Sequence, residues 1–495
     1  MIRLLSLHRP LLVAAGILYI LSLRAYYVGF FNDDAFFLIG AESLLSGSYS
    51  QLQAPGAPPL VQYLPGYSFL LAPVLLLSGG SWTACALVSA LLLWTCAVVL
   101  PRAWGDSIPS EAALVAALLL AINPLSLSLA GTLLSDIPYT FVTLLILWRA
   151  RAFWHSQEDR NWALLGAMAA YAFMLRPTGF AFILVAPAML FYERRVRASA
   201  AFLAAALPLA ALFPLRNTLV AGAALPYAAE LADPYAASGT GPYLYHLWYY
   251  VSELFGRILL RWPFGKLALP WTLLAMAGGG ALTLVGAMRW MSAPPLAQRG
   301  WRRFTLAYGA AYFLVLLGWN KTSSRYLLPL LPLVLPWLCY SLAQLGKERH
   351  RDLRLTLLLG LSLIMTAPAA MRIAQASWTG HSPMATVPPV YAWLTAHTPA
   401  TAIIGADLDG RVFVRSRRRS VRPPAQASQT QLAQWLEQSA VDYILLRPEP
   451  FLMQARGGSG AHASRETPLA ALTRGPGFER VYTDDSSVVY RRISQ

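Results

Sequence analysis

Apolar stretches close to the length of a membrane crossing, such as residues 81–100 and 355–371, recur along the first three-quarters of the chain. A helix of about 20 residues crosses the ~30 Å hydrocarbon core of a bilayer. Within that core each backbone N–H and C=O has to be paired inside the segment. The pattern therefore dictates a mainly α, polytopic bundle of transmembrane helices, and it excludes an ordinary soluble enzyme. Composition agrees, with 57% hydrophobic and 13% charged residues, where soluble domains carry about 25% charge. Placing the segments gives about eleven spans, at residues 10–28, 81–100, 111–129, 132–148, 162–175, 178–192, 199–215, 265–288, 304–319, 326–345 and 354–371.

The formal charge of +16 is informative once it is sorted by side. Arg149, Arg151 and Arg160, then Arg194, Arg195 and Arg197, then Arg299, Arg302 and Arg303 fall in alternate connections, whereas no Lys or Arg lies between Arg24 and Arg102. Basic loops stay on the cytoplasmic side, so the N-terminus is expected inside and the C-terminus outside. Arg3 and Arg9 before the apolar run Leu11–Leu23 resemble a secretion signal, but no small-residue cleavage site follows and the run is read as a retained first span. The basic balance is thus a topology signal. Only Arg415–Arg419 resembles a nucleic-acid patch, and no nucleic-acid partner is expected. Cys85, Cys96 and Cys339 all sit within apolar blocks, which speaks against a disulfide framework or a cysteine zinc site.

This reading divides the chain into a transmembrane domain, residues 1–372, and a small extracytoplasmic α/β domain, residues 385–495. Two outer loops, 29–80 and 220–264, are too long to be mere connectors. The first is expected to hold two interfacial helices, one capped by Asn32 or Asp33 and one starting near Pro65-Gly66-Tyr67. In the C-terminal part, residues 401–405, Val412–Val414, 442–446 and 487–490 read as strands, alternating with helical stretches at Val390–Ala396 and Leu432–Gln438.

Ionisable groups at the outer ends of spans are the candidates for chemistry, because at the membrane they are costly unless a polar site satisfies them. Asp33 and Asp34 are adjacent, so on a helix they face different directions; either can serve as a proton acceptor or as a helix cap. Asp136 stands where the third span hands over to the fourth, and it reads equally as a cap ahead of Pro138. Arg176, Arg216, Lys321 and Arg325 lie on the face that is otherwise poor in cations. They suit a phosphate or pyrophosphate, or they snorkel to lipid headgroups. The second loop, with Tyr243, Tyr245, His246, Arg257 and Arg261, suits sugar stacking and also fits an interfacial aromatic belt.

The Asp33-Asp34 pair, Tyr67 in Pro65-Gly66-Tyr67, Ser135-Asp136, Arg176-Pro177 and the run Arg325-Tyr326-Leu327-Leu328-Pro329 together resemble the C-type (GT-C) membrane glycosyltransferases. Within them the likeness is to the bacterial branch of the protein O-mannosyltransferase and ArnT class, over approximately residues 10–345. The resemblance implies transfer of a sugar from a polyprenyl-phosphate donor to a lipid, glycan or protein acceptor. The transfer is expected to invert the anomeric centre, at the extracytoplasmic face of a bacterial inner membrane. It also implies Asp33 as the catalytic acid position and Asp136 as the second acid, with Arg176, Arg216, Lys321 and Arg325 toward the phosphate. Glu42 is a loose match to a further acid of the ArnT branch and His246 a positional match to a histidine; Tyr63 and Tyr67 join them as substrate contacts. A divalent metal is left open. The pair is Asp-Asp where the eukaryotic protein mannosyltransferases have Asp-Glu, and no β-trefoil domain is present in the sequence, which weakens the case for a protein acceptor. The rival reading is a transporter or flippase of a lipid-linked glycan, which would show inverted repeats and acids in mid-span.

Overall fold

The computed structural model describes residues 2–222, 241–259, 268–294, 298–319, 321–345, 350–379, 385–424, 428–446, 468–473 and 477–493. The chain divides into two compact units, Met1–Leu23 with Ala86–Thr379, and Arg24–Cys85 with Gly380–Gln495.

The first unit is helical. Among the described residues of the whole chain, five helices are long and apolar enough to cross a membrane: Trp82–Ser107, Val196–Ala221, Leu269–Ser292, Ser324–Gln344 and Arg351–Thr379. Shorter apolar helices cover His8–Ser22, Gly66–Leu77, Ser110–Ile122 and Pro177–Tyr192. The stretch expected as one span over 111–129 is broken at Asn123, between the helices Ser110–Ile122 and Pro124–Leu129. Pro124 lacks an N–H and holds Asn123 extended. The Asn123 amide then repairs the break, donating to the carbonyls of Leu119 (3.1 Å) and Leu120 (2.8 Å) and accepting from the Ser126 N–H (2.9 Å). An apolar helix can be interrupted only where the freed backbone groups find such partners.

Close helix contact in this unit depends on small residues, as membrane bundles require. A Cβ on Gly166 would collide with the Phe202 backbone of the Val196–Ala221 helix, and one on Gly286 with the Trp337 carbonyl. Four indoles, Trp104, Trp290, Trp301 and Trp337, pack edge-on or tilted with centroids 4.9–6.3 Å apart.

The second unit contains a five-stranded sheet in the order β2-β1-β3-β5-β4, with β1 Ile403–Ala406, β2 Arg419–Val421, β3 Tyr443–Leu446, β4 Phe478–Asp484 and β5 Ser487–Arg492. Strand β1 runs parallel to β2 and β3, while β5 is antiparallel to β3 and β4, with Ile404 opposite Tyr443 and Ile444 opposite Tyr490. Val390, Leu394, Ile404, Val412, Leu445 and Val489 form its core. Val412–Val414, read from the sequence as a strand, lies in the helix Asp409–Ser416. Arg417 in the left-handed region closes that helix, and the i,i+4 spacing places Arg411 and Arg415 together on one side while Val412 turns to the core. The helices Asp33–Leu45 and Gly66–Leu77 fold within this same unit.

Gly166→Ala is expected to lower the stability of detergent-solubilised protein by about 1–3 kcal/mol, the usual cost of overpacking. Gly278→Ala, where a Cβ meets open space, is expected to be neutral or stabilising by up to about 1 kcal/mol. Thermal unfolding of the two variants beside the parent checks both.

Candidate active site

Two clusters of ionisable groups stand out, one in each unit. In the second unit the helix Asp33–Leu45 starts with both acids, and burial separates their chemistry. Asp34 is fully buried and its Oδ2 accepts from the Tyr26 hydroxyl and from the Gly29 N–H (2.5 Å). Loss of water pushes its carboxyl up to about 6, against the opposing pull of the Gly29 N–H and the Arg411 guanidinium. Asp33 is only partly buried and accepts a hydrogen bond from the Tyr63 hydroxyl at 3.0 Å. The Tyr63 ring is fixed by stacking on Phe36 at 4.6 Å. Asn32, expected as a helix cap, makes no capping bond. It sits at φ 64° and its Oδ1 accepts from the Arg411 N–H at 3.0 Å.

In the first unit Asp136 is the first residue of the helix Asp136–Phe153, and its carboxylate is not a cap. It lies 2.6 Å from Arg176 Nη1 and 3.9 Å from Arg325 Nε. Pro177 forces Arg176 into an extended conformation at the end of the helix Asp159–Leu175, which swings its side chain off the helix axis. Arg325 comes from the 3₁₀ turn Ser324–Leu330, and both guanidiniums lie over the Tyr326 ring, at 4.8 and 5.3 Å. The arginine side chains are 14% and 15% exposed while the carboxylate is 1% exposed, so two largely buried cations lie against one hidden anion. In the same unit the Tyr139 hydroxyl lies 3.2 Å from that of Tyr308, and the Tyr312 hydroxyl donates to the Tyr326 carbonyl at 2.8 Å. These buried tyrosines escape sequence reading because they look like ordinary residues of apolar spans.

The remaining candidates are placed as follows. Arg216 bonds Asn217 Oδ1 at 3.0 Å and lies over the Phe213 ring of its own helix. Lys321 is exposed, and its carbonyl accepts from the Tyr250 hydroxyl at 3.4 Å. Tyr67 is fully buried, edge-on to Phe37. Glu42 is gripped by both Nη atoms of Arg417, at 2.9 and 3.1 Å. Tyr243 and Tyr245 are exposed on the helix Gly241–Val251, His246 Nδ1 is 3.1 Å from the Leu317 carbonyl, and Arg257 pairs with Glu253 at 2.5 Å. Arg261 lies outside the described residues. Sequence reading missed Arg411 and Arg422, the latter 3.3 Å from Asp409; the Arg-rich composition was the only signal. Among the described residues no group of three or more His, Cys, Asp or Glu is placed to hold a metal ion.

Comparison with known proteins agrees with this architecture. Residues 58–216 match the family described as dolichyl-phosphate-mannose-protein mannosyltransferase. The fold is similar to that of ArnT from Cupriavidus metallidurans bound to undecaprenyl phosphate, with TM-score 0.60, 14% identity and coverage of 97% of both chains. It is also similar to the oligosaccharyltransferase AglB of Archaeoglobus fulgidus in complex with an inhibitory peptide and a dolichol-phosphate, with TM-score 0.56, 14% identity and coverage of 88% of this chain and 69% of that one. A third structure, the Archaeoglobus fulgidus oligosaccharyltransferase with Zn and sulfate, matches with TM-score 0.57, 13% identity and coverage of 98% and 73%. No match was found among curated protein sequences. The chain has the GT-C fold and is an integral membrane protein. Residues 58–216 are thus similar to the protein mannosyltransferase family, and the fold is similar to that of ArnT.

The raised carboxyl of Asp34 makes stability depend on pH. Its folded value of about 6 lies above that of an unfolded aspartate, so between about pH 4 and about pH 6 the folded chain holds one proton more than the unfolded one. This contribution is full below about pH 4, falls as pH rises through about 6, and is flat above, a change on the order of 3 kcal/mol. Asp34→Asn keeps an acceptor for Tyr26 and Gly29 and should abolish that slope in unfolding measured across the range. Asp136→Ala is expected to destabilise by about 3–5 kcal/mol, because two largely buried guanidiniums lose their counter-ion.

Proposed function

We propose that the chain transfers one sugar from a polyprenyl-phosphate carrier to a lipid, glycan or protein acceptor, with inversion, at the extracytoplasmic face of a bacterial inner membrane. The observation that carries this reading is the pair of guanidiniums held by the buried carboxylate of Asp136. Two cations over one anion leave net positive charge beside a helix N-terminus, which suits a phosphate that gains charge as it departs. The ArnT match supports the carrier, since that protein was captured with undecaprenyl phosphate. The alternation of Arg-rich and Arg-poor connections supports an outside location for the site and for the C-terminal domain, residues 385–495, with the N-terminus inside.

In this mechanism the acceptor hydroxyl attacks the anomeric carbon as the bond from that carbon to the phosphate oxygen breaks, and the hydroxyl proton passes to a carboxylate. One displacement inverts the centre. Asp33 is assigned the proton, because it is the accessible member of the acid pair and is steadied by the Tyr63 hydroxyl. Arg176 and Arg325 are assigned the charge of the departing polyprenyl phosphate. Asp136 holds them, and Tyr326 lies beneath both. Among the described residues the acids do not form a metal-ligand set: Asp136 is committed to two guanidiniums and Asp34 Oδ2 to Tyr26 and Gly29. No step is routed through a metal.

Release of polyprenyl phosphate from a panel of polyprenyl-phosphate sugars, by purified protein supplied with membrane lipid extract as acceptor, tests the assignment. Asp33→Asn is expected to slow release at least about a hundredfold, the effect of losing a general base. Arg176→Gln and Arg325→Gln are each expected to cost about a hundredfold, as loss of a transition-state charge partner does. Equal release by parent and Asp33→Asn would remove Asp33 from the proton step. Absence of release from every donor would overturn the reading.

A further inference from the structure

In the Arg-rich run that follows Asp409, Arg411 and Arg415 are turned inward, and their contacts lie in their own unit. Arg411 is fully buried; its Nε donates to the Gly29 carbonyl and its Nη2 to the Phe30 carbonyl, and its own backbone N–H meets Asn32 Oδ1 at 3.0 Å. Its guanidinium lies over the Tyr27 and Phe30 rings at 5.7 and 5.8 Å. One helical turn on, Arg415 Nε donates to the Val28 carbonyl at 2.7 Å. Farther along, Arg417 grips Glu42 on the acid-bearing helix, and the Ser420 N–H donates to the Gln53 carbonyl at 2.7 Å.

The segment they hold is one that would not keep its shape unaided. Gly29 and Asn32 both have positive φ, 96° and 64°, three residues apart and immediately before Asp33. For a residue with a Cβ that region costs roughly 1–2 kcal/mol. The turn also leaves the carbonyls of Val28 and Phe30 to be paired by side chains, and Arg411 adds a second donor to the Gly29 carbonyl, which accepts from the Asn32 N–H at 3.2 Å. A planar guanidinium satisfies two of these carbonyls at once, which a lysine ammonium cannot do in the same geometry.

We propose that the helix Asp409–Ser416 of the C-terminal domain, through Arg411 above all, is a positioning element that fixes the Gly29–Asn32 turn and so the direction in which Asp33 is presented. The proposal rests on the reading of Asp33 as the proton acceptor. On this view the C-terminal domain contributes no reacting group and is nevertheless required for turnover, and the basic run is there to read backbone carbonyls.

The test compares Arg411→Ala, Arg411→Lys and Asp33→Asn in the full-length protein, each checked for an unchanged elution volume and thermal unfolding. Arg411→Ala is expected to lower kcat about ten- to a hundredfold, the size of effect that follows when a reacting group is displaced by about 1 Å, with the donor KM within about twofold of the parent. Millimolar guanidinium is expected to restore part of kcat to Arg411→Ala and none to Asp33→Asn; Arg411→Lys should stay impaired. A folded Arg411→Ala with parental kcat, beside an inactive Asp33→Asn, would overturn the positioning role alone. An active Asp33→Asn would instead remove the reading on which it rests. Should Arg411→Ala fail to fold, the partly exposed Arg417–Glu42 pair carries the test. Arg417→Glu is then expected to lower kcat at least about threefold, within the reach of small misplacements, and adding Glu42→Arg to restore it. An Arg417→Glu variant with parental kcat would count against the proposal.

Discussion

Polar groups removed from water must be answered nearby, and at three places this chain answers a buried carboxylate or backbone carbonyls with arginine. Arg302 is fully buried among aromatic residues of the first unit, and its guanidinium donates to the carbonyls of Trp290 (2.9 Å), Ala293 and Pro294 (3.3 Å) at the end of one helix. Arg176 and Arg325 answer the carboxylate of Asp136, and Arg411 with Arg415 answers three consecutive carbonyls of the turn before Asp33. A guanidinium is suited to each case because it is always charged, is weakly hydrated and offers several donors in one plane. Hydrogen bonds from charged groups contribute about 1.5–3 kcal/mol each, enough to hold a turn that its own backbone disfavours.

The same constraint explains how much could be read without coordinates. Long apolar helices are legible because a bilayer crossing fixes their length, and the parallel centre of the small sheet is legible because Ile403–Ala406 and Tyr443–Leu446 are apolar runs. β2 was not, since Arg419-Ser420-Val421 offers no apolar alternation and is a strand by its backbone pairing to β1. β4, with its mixed burial, was hidden for a similar reason. The helix at Val412–Val414 misleads because two valines one residue apart fit a strand, while the evidence for a helix lies in what Arg411 and Arg415 reach. The Asn123 break is written in the Asn-Pro pair, but an apolar stretch on both sides masks it.

For the candidate site, residue types were legible and partnerships were not. Asp136, Arg176 and Arg325 come from three separated segments, and only the folded helices bring the acid within 2.6 Å of one cation and 3.9 Å of the other. Glu42 matches a substrate contact by position, yet it is engaged by Arg417, far away in sequence. Arg411 was hidden in plain view: in a run of five residues with four arginines after it, a basic residue reads as solvated surface, whereas this one is entirely buried.

Why two adjacent aspartates should be kept apart in chemistry follows from what each carboxylate has left to offer. A fully buried carboxylate is shut off from an outside hydroxyl, whatever its affinity for a proton. Asp34 is in that position, with the Tyr26 hydroxyl and the Gly29 N–H on one oxygen. Burial raises its proton affinity without giving it access, so a carboxyl near 6 is here a property of a buttress. Asp33, one residue earlier, has partial exposure and a tyrosine donor that steadies it. The roughly 100° turn between consecutive helical residues is what separates them, and the arginines of the Asp409–Ser416 helix keep the preceding turn, and with it that separation, in place.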